Sequence, residues 1–149
     1  MDAIDRKILR VLQADARASL QEVGQAVGLS SSPCWERIRK MEASGVIEGY
    51  TVRLNPHALG LNDTVLVQVT LDSHSDNTLE KFGEVLASIP EVIEAHLVSG
   101  DYDYLLRVAV KDTRDYERLL RERLYKIKGI RHSRSSFVLR TLKKADLPV

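Results

Sequence analysis

Apolar residues in the first 45 positions recur at the spacing of three short helices. Asp2 is the expected N-cap of the first helix, the capping box SLQE at 19–22 opens the second, and Ser30 is the expected N-cap of the third. Gly28 and Gly45 end the second and third helices, because glycine readily adopts the conformation that follows a helix. The short turn between these two helices predicts a helix-turn-helix.

Residues 46–62 separate this helical region from the rest of the chain. The segment VIEGYTVRL, 46–54, predicts an extended strand, and NPHALGLN, 55–62, predicts a connector because it contains both proline and glycine. We therefore expect a first domain over 1–54, a connector over 55–62 and a second domain over 63–149.

The second domain alternates between strand and helix patterns. Strands are predicted at DTVLVQVTL (63–71), VIEAHLVS (92–99), YDYLLRVAV (102–110) and RHSRSSFVLRTL (131–142). One helical stripe ends at Pro90, and another over 116–127 is stopped by Gly129. We expect Gly100 and Asp101 to form a two-residue hairpin loop between the central strands. The order β-α-β-β-α-β is that of the ferredoxin-like split fold, so the predicted fold class is α+β.

Helices are expected on one face of this sheet only. The other face is then predicted to expose Val, Leu and Tyr side chains, and exposed apolar patches on a soluble domain usually mark an interaction surface. We therefore expect that face to meet a second copy of the chain, as in a homodimer.

The charge balance limits nucleic-acid binding without excluding it. The 149-residue chain has 22 Lys and Arg against 21 Asp and Glu, and both predicted domains are close to neutral. Nucleic-acid binders are commonly basic, so DNA contact requires a local basic patch. The first ten residues lack an apolar h-region, no apolar run reaches membrane-spanning length, and Cys34 is the single cysteine. These features predict a cytoplasmic protein without a disulfide.

The outward face of the third predicted helix carries residues suited to such a patch. Cys34, Ile38 and Met41 form its inward stripe. The candidate DNA-contacting residues are Ser31, Ser32, Trp35, Glu36, Arg37, Arg39 and Lys40. In a recognition helix the N-terminal residues meet base edges and the cations meet phosphates, which is the order found here. A solvated helix face is the alternative for the RIRK run taken alone, and the preceding helix and turn favour DNA binding.

No residue cluster predicts a metal site or a catalytic centre. The histidines His57, His74, His96 and His132 are scattered along the chain, and Cys34 has no second cysteine. No phosphate-binding glycine loop or nucleophile–base pair is apparent. We therefore expect neither a metal nor another cofactor.

The segment VSGDYDYLLRV, 98–108, is more polar than a hairpin turn requires. Two carboxylates, Asp101 and Asp103, and two phenols, Tyr102 and Tyr104, surround one tight turn. Turn formation can account for one carboxylate and protection of a strand edge for the other. A ligand-binding site is the alternative, and these residues alone do not decide between the two.

The order of these motifs resembles that of the Lrp/AsnC family, the feast/famine regulators. The resemblance is carried by DRKILRVLQADARASLQEVGQAVGLSSSPCWERIRKME for the helix-turn-helix, GYTVRLNP for the linker strand, HLVSGDYDYLLRV for the effector-domain hairpin, and SSFVLRTLK with the final LPV for the C-terminal strand and tail. It covers nearly the whole chain. Trp35 departs from the pattern, because many relatives have leucine there.

The resemblance implies an N-terminal winged helix-turn-helix domain and a C-terminal αβ-sandwich that dimerises. In such relatives, dimers assemble further, commonly into octamers around which double-stranded DNA can wrap. A small amino acid binds between dimers at the hairpin loop, and hydroxyl residues of the last strand line the same pocket. The implied effector-binding residues in this chain are Gly100, Asp101, Tyr102, Asp103, Ser133, Ser135 and Ser136.

The predicted function is a sequence-specific transcriptional regulator that responds to a small amino acid, and two alternatives stay open. Some proteins resembling the family decarboxylate tetrapyrroles, which would need cations and a proton donor. Such groups are available on predicted strands as His96, Arg107, His132 and Arg134. The other alternative is a DNA-architectural protein that ignores small molecules.

Overall fold

The computed structural model describes residues 1–73 and 76–149, with the side chains of 76–78 left out of the description. The chain forms two compact units, Met1–Leu54 together with Lys143–Val149, and Asn55–Leu142. The predicted second domain runs to residue 149, whereas the structure groups the last residues with the first unit. No helix in the described part of the chain is long and apolar enough to cross a membrane.

Helices build the first unit, and their starts follow local cap chemistry. They are α1 (Ala3–Ala14), α2 (Leu20–Val27) and α3 (Ser31–Ala43). The predicted caps of α1 and α2 are confirmed: Asp2 with Asp5, and Ser19 with Glu22, each form a reciprocal capping box. At α3 the backbone of Ser30 is the N-cap, but its side chain makes no capping hydrogen bond.

The core of the first unit is where the three helical stripes meet. Its buried members are Ile8, Leu9, Val23, Cys34, Ile38 and Met41. The end of the chain joins this core, because Val149 packs against it and its carbonyl accepts a 2.8 Å hydrogen bond from Nε of Arg10. Gln13 Nε2 also donates to the carbonyl of Leu147 at 3.0 Å.

The second unit has the predicted element order. It contains β1 (Asp63–Leu71), α4 (Asp76–Ala87), β2 (Val92–Leu97), β3 (Tyr104–Val110), α5 (Thr113–Glu122) and β4 (Ile130–Phe137). The sheet order is β2-β3-β1-β4 and every described pairing is antiparallel, which confirms the α+β class. The predicted helix over 116–127 is too long. The backbone leaves the helical region at Arg123, and a 3-10 turn, Leu124–Lys126, follows.

The core of the second unit lies between the helices and one face of the sheet. It includes alternate residues of the two central strands: Val65, Val67, Val69 and Leu71 on β1, and Tyr104, Leu106, Val108 and Val110 on β3. The opposite face carries Leu66 and Leu105 among polar neighbours such as Gln68, Arg107 and Arg134. The open face is therefore less apolar than expected, because Tyr104 and the valines of the two central strands lie on the helix side.

The strand predicted at 46–54 does not form within the chain. Its residues have no ladder partner, and strand structure requires one. Residues 48–54 are all exposed, and the apolar ones, Tyr50, Val52 and Leu54, occupy alternate positions, the spacing that places side chains on one side of an extended segment. The Tyr50 hydroxyl donates to Oε1 of Glu42 at 3.0 Å, which ties this segment to the end of α3.

Gly24 allows the close approach between α2 and the turn that leads into α3. The Leu29 N–H donates to the Gly24 carbonyl at 2.9 Å, and Gly24 is buried. A Cβ at this position would lie 2.5 Å from the Leu29 carbonyl oxygen, far inside van der Waals contact. The turn of the helix-turn-helix therefore depends on the absence of a side chain here.

We expect Gly24→Ala to lower the free energy of unfolding of the first unit by about 1–3 kcal/mol, because a backbone oxygen must move to admit the methyl group. The matched control is Gly83→Ala in α4, where an added Cβ meets open space. That variant should be stabilised by about 0.5–1 kcal/mol through the higher helix propensity of alanine. Urea unfolding followed by Trp35 fluorescence and far-UV circular dichroism measures both, and equal effects would contradict the close approach.

Candidate DNA and effector sites

The outward face of α3 presents six of the seven predicted DNA-contacting residues to solvent. These exposed residues are Ser31, Ser32, Trp35, Glu36, Arg39 and Lys40. Cys34, Ile38 and Met41 occupy the opposite side and are buried, so the predicted inward stripe is confirmed. The helix thus offers hydroxyl groups in its first turn and cations in its later turns.

Trp35 is a surface residue of this helix, with 47% of its area exposed. The Arg39 guanidinium lies over its ring, 5.2 Å from the ring centroid, within the range of a cation–π contact. The contact orients Arg39 along the helix and leaves the indole available to a partner. The sequence alone could not distinguish a packing role from an exposed one for this tryptophan.

Arg37 is placed differently from the other cations. Its Nη1 donates to Oδ2 of Asp2 at 2.7 Å and to Oδ1 of Asp5 at 2.6 Å. The Asp5 N–H and then Arg37 lower the pKa of Asp2, and the Asp2 N–H and then Arg37 lower the pKa of Asp5. Arg37 therefore links α3 to the start of α1, a role that the sequence reasoning missed because the partners lie far apart along the chain.

The loop between β2 and β3 is longer than predicted. β2 ends at Leu97 and β3 begins at Tyr104. The Val98 N–H donates to the Asp103 carbonyl at 2.9 Å, so residues 99–102 form the turn. The expectation of a two-residue loop made by Gly100 and Asp101 is wrong. Gly100 has φ of 127°, which glycine adopts without strain.

Asp103 fastens this loop to the end of β1. Its N–H donates to the Val69 carbonyl at 2.9 Å, and its Oδ2 accepts a 2.7 Å hydrogen bond from the Leu71 N–H. The carboxylate thus satisfies a backbone donor of β1 beyond the last paired residue of β3. Asp103 has a structural role whatever else it does.

Tyr104 also belongs to the scaffold. Its ring is buried 5.0 Å from the Phe82 ring, and its hydroxyl donates to the Leu79 carbonyl at 2.7 Å. Burial and then the charge of Asp103 raise the pKa of its phenol. The four polar side chains of the hairpin therefore differ in role. Asp103 and Tyr104 hold the loop in place, whereas Asp101 is exposed and Tyr102 is partly exposed.

The three predicted serines of β4 do not point the same way. Ser133 and Ser135 pair with Val69 and Val67 and share the helix side of the sheet, whereas Ser136 pairs with Leu66 and faces the open side. The Ser135 hydroxyl lies 2.5 Å from the buried Tyr116 hydroxyl. Burial raises the pKa of Tyr116, and the serine contact opposes that shift.

The hairpin loop and Ser133 lie at one end of the sheet. Both Tyr104, which follows the loop, and Ser133 pair with Val69 of the strand between them. Two strand spacings correspond to roughly 9.5 Å. The chain thus brings the hairpin loop and Ser133 to the same end of the sheet, on strands that lie on either side of β1.

The four side chains considered for an enzymatic site lie on the open face of the sheet. His96, Arg107, His132 and Arg134 all lie there by register. Arg107 pairs with Glu94 and lowers the pKa of that carboxyl, and His96 Nε2 lies 3.8 Å from the same carboxylate. Within the described residues no set of His, Cys, Asp and Glu is arranged to hold a metal, and His74 lies outside them.

Comparison with known proteins gives matches to both units. Residues 1–42 match the AsnC-type helix-turn-helix domain family, and residues 64–148 match the Lrp/AsnC ligand binding domain family. The leucine-responsive regulatory protein of Escherichia coli (strain K12) is 42% identical over 146 residues, covering 98% of this chain and 89% of that protein.

Solved structures agree with these matches. An AsnC family transcriptional regulator from Agrobacterium tumefaciens is similar with a TM-score of 0.94 at 42% identity, covering 99% of this chain and 97% of that one. A transcriptional regulator of Neisseria meningitidis, solved as an L-Met complex, has a TM-score of 0.91 at 30% identity, with 97% and 93% covered.

Proposed function

The chain belongs to the Lrp/AsnC family of transcriptional regulators, and on that premise we propose that α3 reads DNA while the β2–β3 loop senses a small amino acid at a site completed by a second copy of the chain. The observation that carries the proposal is that the two carboxylates of the loop have different surroundings. Asp103 anchors it to β1 and leaves the Asp101 carboxylate exposed at its tip.

The chemistry of the loop suits a zwitterion. The Asp101 carboxylate can accept hydrogen bonds from an ammonium group, and the turn N–H groups of residues 100–102 can donate to a carboxylate. Each charge-assisted hydrogen bond in a partly enclosed site contributes roughly 1.5–3 kcal/mol. The Neisseria meningitidis relative was solved with L-Met, which supports an amino acid as the class of ligand.

A second copy would enclose the ligand, because the Asp101 carboxylate is exposed at the tip of the loop in one chain. The unpaired segment 48–54, with Tyr50, Val52 and Leu54 exposed at alternate positions, supports association through strand pairing. The family pattern favours a homodimer that assembles further, to an octamer. Ligand binding between copies then couples occupancy to assembly, because the effector favours the state that it binds better.

The first measurement is thermal melting of the purified chain against each of the twenty amino acids. A ligand at 100 times its dissociation constant adds about 2.7 kcal/mol to stability. We expect one or a few amino acids to raise the melting temperature of the wild type. Asp101→Asn should melt at the wild-type temperature without ligand and lose the response, because the substitution removes the carboxylate that pairs with the ammonium.

Asp103→Ala is the scaffold control for this experiment. It should lower the melting temperature even without ligand, because the Leu71 N–H loses its acceptor at a cost of about 1–3 kcal/mol. A response of Asp101→Asn equal to that of the wild type would refute the proposed ligand contact.

The same measurement addresses the alternatives that the sequence left open. The relatives are transcriptional regulators, which argues against the hypothesis of a tetrapyrrole decarboxylase. If no amino acid changes the melting temperature while the chain still binds DNA, the hypothesis of a DNA-architectural protein replaces that of an amino-acid sensor. A DNA-binding regulator of this family acts with the chromosome in the cytoplasm, where free amino acids also occur.

A further inference from the structure

A groove lies on the helix side of the second unit. It runs between α4 and the segment that follows α5, and its volume is about 530 Å³. The floor is apolar and consists of Phe82, Val85, Ile89 and Ile127. A concave site of this size with an apolar floor falls in the range typical of small-molecule sites.

Cations surround this floor. Lys81 projects from α4, and Arg123, Lys126 and Lys128 come from the segment after α5. All four are exposed, and none has a carboxylate partner among the residues that the structure describes. Because these cations line the same groove, their like charges repel one another, and a bound anion would relieve that repulsion.

The acidic residue of the lining does not neutralise these cations. Glu122 is already engaged within its own helix, with Oε2 3.5 Å from Nη1 of Arg118 and Oε1 3.9 Å from Nη2 of Arg121. The rim is therefore positive while the floor is apolar. The combination favours a ligand that is anionic at one end and hydrophobic along its body.

We propose that this groove binds an amphipathic organic anion, such as a medium-chain carboxylate, as a second ligand site distinct from the amino-acid site. The hydrocarbon body covers Phe82, Val85 and Ile89, and the anionic group lies among Arg123, Lys126 and Lys128. DNA phosphates fit the charge but not the floor, because a phosphate backbone has no apolar body to bury there.

Equilibrium dialysis of the full-length chain with octanoate tests the proposal. We expect saturable binding of one octanoate per chain near 1 mM or tighter, a plausible affinity for so small a ligand. Two compounds serve as controls. Octanol has the same hydrocarbon chain without the charge, and inorganic phosphate has the charge without the hydrocarbon chain. Each should bind at least tenfold more weakly than octanoate, and raised salt should weaken octanoate binding.

Charge reversal locates the bound anion. The double variant Arg123→Glu/Lys126→Glu should weaken octanoate binding at least tenfold, because two attractive charges become repulsive. The matched control is Lys111→Glu/Arg114→Glu, which makes the same change of net charge at exposed positions that do not line the groove. The control should bind octanoate as the wild type does.

Other outcomes would overturn the proposal in recognisable ways. Equal weakening in both double variants would mean a general charge effect, and equal binding of octanol would mean unspecific adhesion. Competition between octanoate and the amino acid that raises the melting temperature would place the anion at the amino-acid site instead. If octanoate does not bind while charge reversal of the groove weakens DNA binding, the cations serve DNA phosphates.

Discussion

Replacing Arg39 and Lys40 by alanine is expected to weaken DNA binding by about 100-fold for each recognition helix engaged. A cation that neutralises one phosphate releases about 0.9 counterion, worth roughly tenfold in affinity near 0.1 M salt. Both side chains are exposed on α3, and neither is paired with a carboxylate among the described residues. If the proposed homodimer places two helices on one site, the effect multiplies to about 10⁴-fold, and the slope of log affinity against log salt falls by roughly 3.6.

Trp35, the single tryptophan, lies on α3, and its fluorescence follows the titration of the chain with DNA directly. The DNA is a fragment selected in vitro by the wild-type chain, with a random sequence beside it. Arg39→Ala/Lys40→Ala should weaken both nearly equally, because phosphate contacts carry no sequence information. Ser32→Ala, at the N-terminal end of α3, should instead reduce binding to the selected fragment alone, by about 1–3 kcal/mol if it contacts a base edge.

The charge-matched control Lys111→Ala/Arg114→Ala removes two exposed cations from the second unit. It should leave DNA affinity within a few-fold of the wild type. An unchanged salt dependence in Arg39→Ala/Lys40→Ala would exclude α3 as the DNA-contacting element. Arg37→Ala is expected to act differently, by lowering the stability of the first unit, since it leaves the carboxylates of Asp2 and Asp5 without their cation.

Leu106→Ala is expected to destabilise the second unit by about 2–5 kcal/mol. Leu106 lies on the central strand β3 with no exposed surface, and truncation loses transfer free energy and leaves a cavity. Far-UV circular dichroism during urea unfolding measures the loss. The Trp35 transition should shift much less, because the cores of the two units share no buried residue.

Leu139→Ala is the matched substitution, since Leu139 is 98% exposed. It should change stability by no more than about 0.5 kcal/mol. Protein concentration is held constant, because association would add its own concentration-dependent stability. An equal shift of both transitions by Leu106→Ala would contradict two separate cores.

Local chemistry accounts for what could be predicted of the fold. The caps at Asp2 and Ser19, the glycine after α2 and the buried stripe of α3 all depend on residues within about one helical turn of one another. The alternation along β1 and β3 likewise follows from the two-residue period of a strand. Such patterns are present in the sequence because neighbours in the chain are neighbours in space.

The wrong predictions concern residues whose pairing partners are distant in the sequence or absent from the same chain. The segment 46–54 has a strand pattern but no partner strand in the same chain, so no ladder forms. The hairpin loop is longer than its Gly-Asp pair suggested, since the Val98 N–H pairs with the Asp103 carbonyl, and the Asp103 carboxylate binds the Leu71 N–H of β1. Periodicity states which residues can be extended or buried, but not what they will pair with.

The sequence by itself determined the family, the two domain types, the element order and the exposed face of α3, because each follows from local periodicity or from motif order. Only the tertiary structure decided which polar groups are committed to the scaffold. Arg37 joins Asp2 and Asp5 from 35 and 32 residues away, and Ser135 meets Tyr116 across the sheet–helix interface. Such pairings depend on the path of the chain, and they leave Asp101 exposed at the tip of the loop.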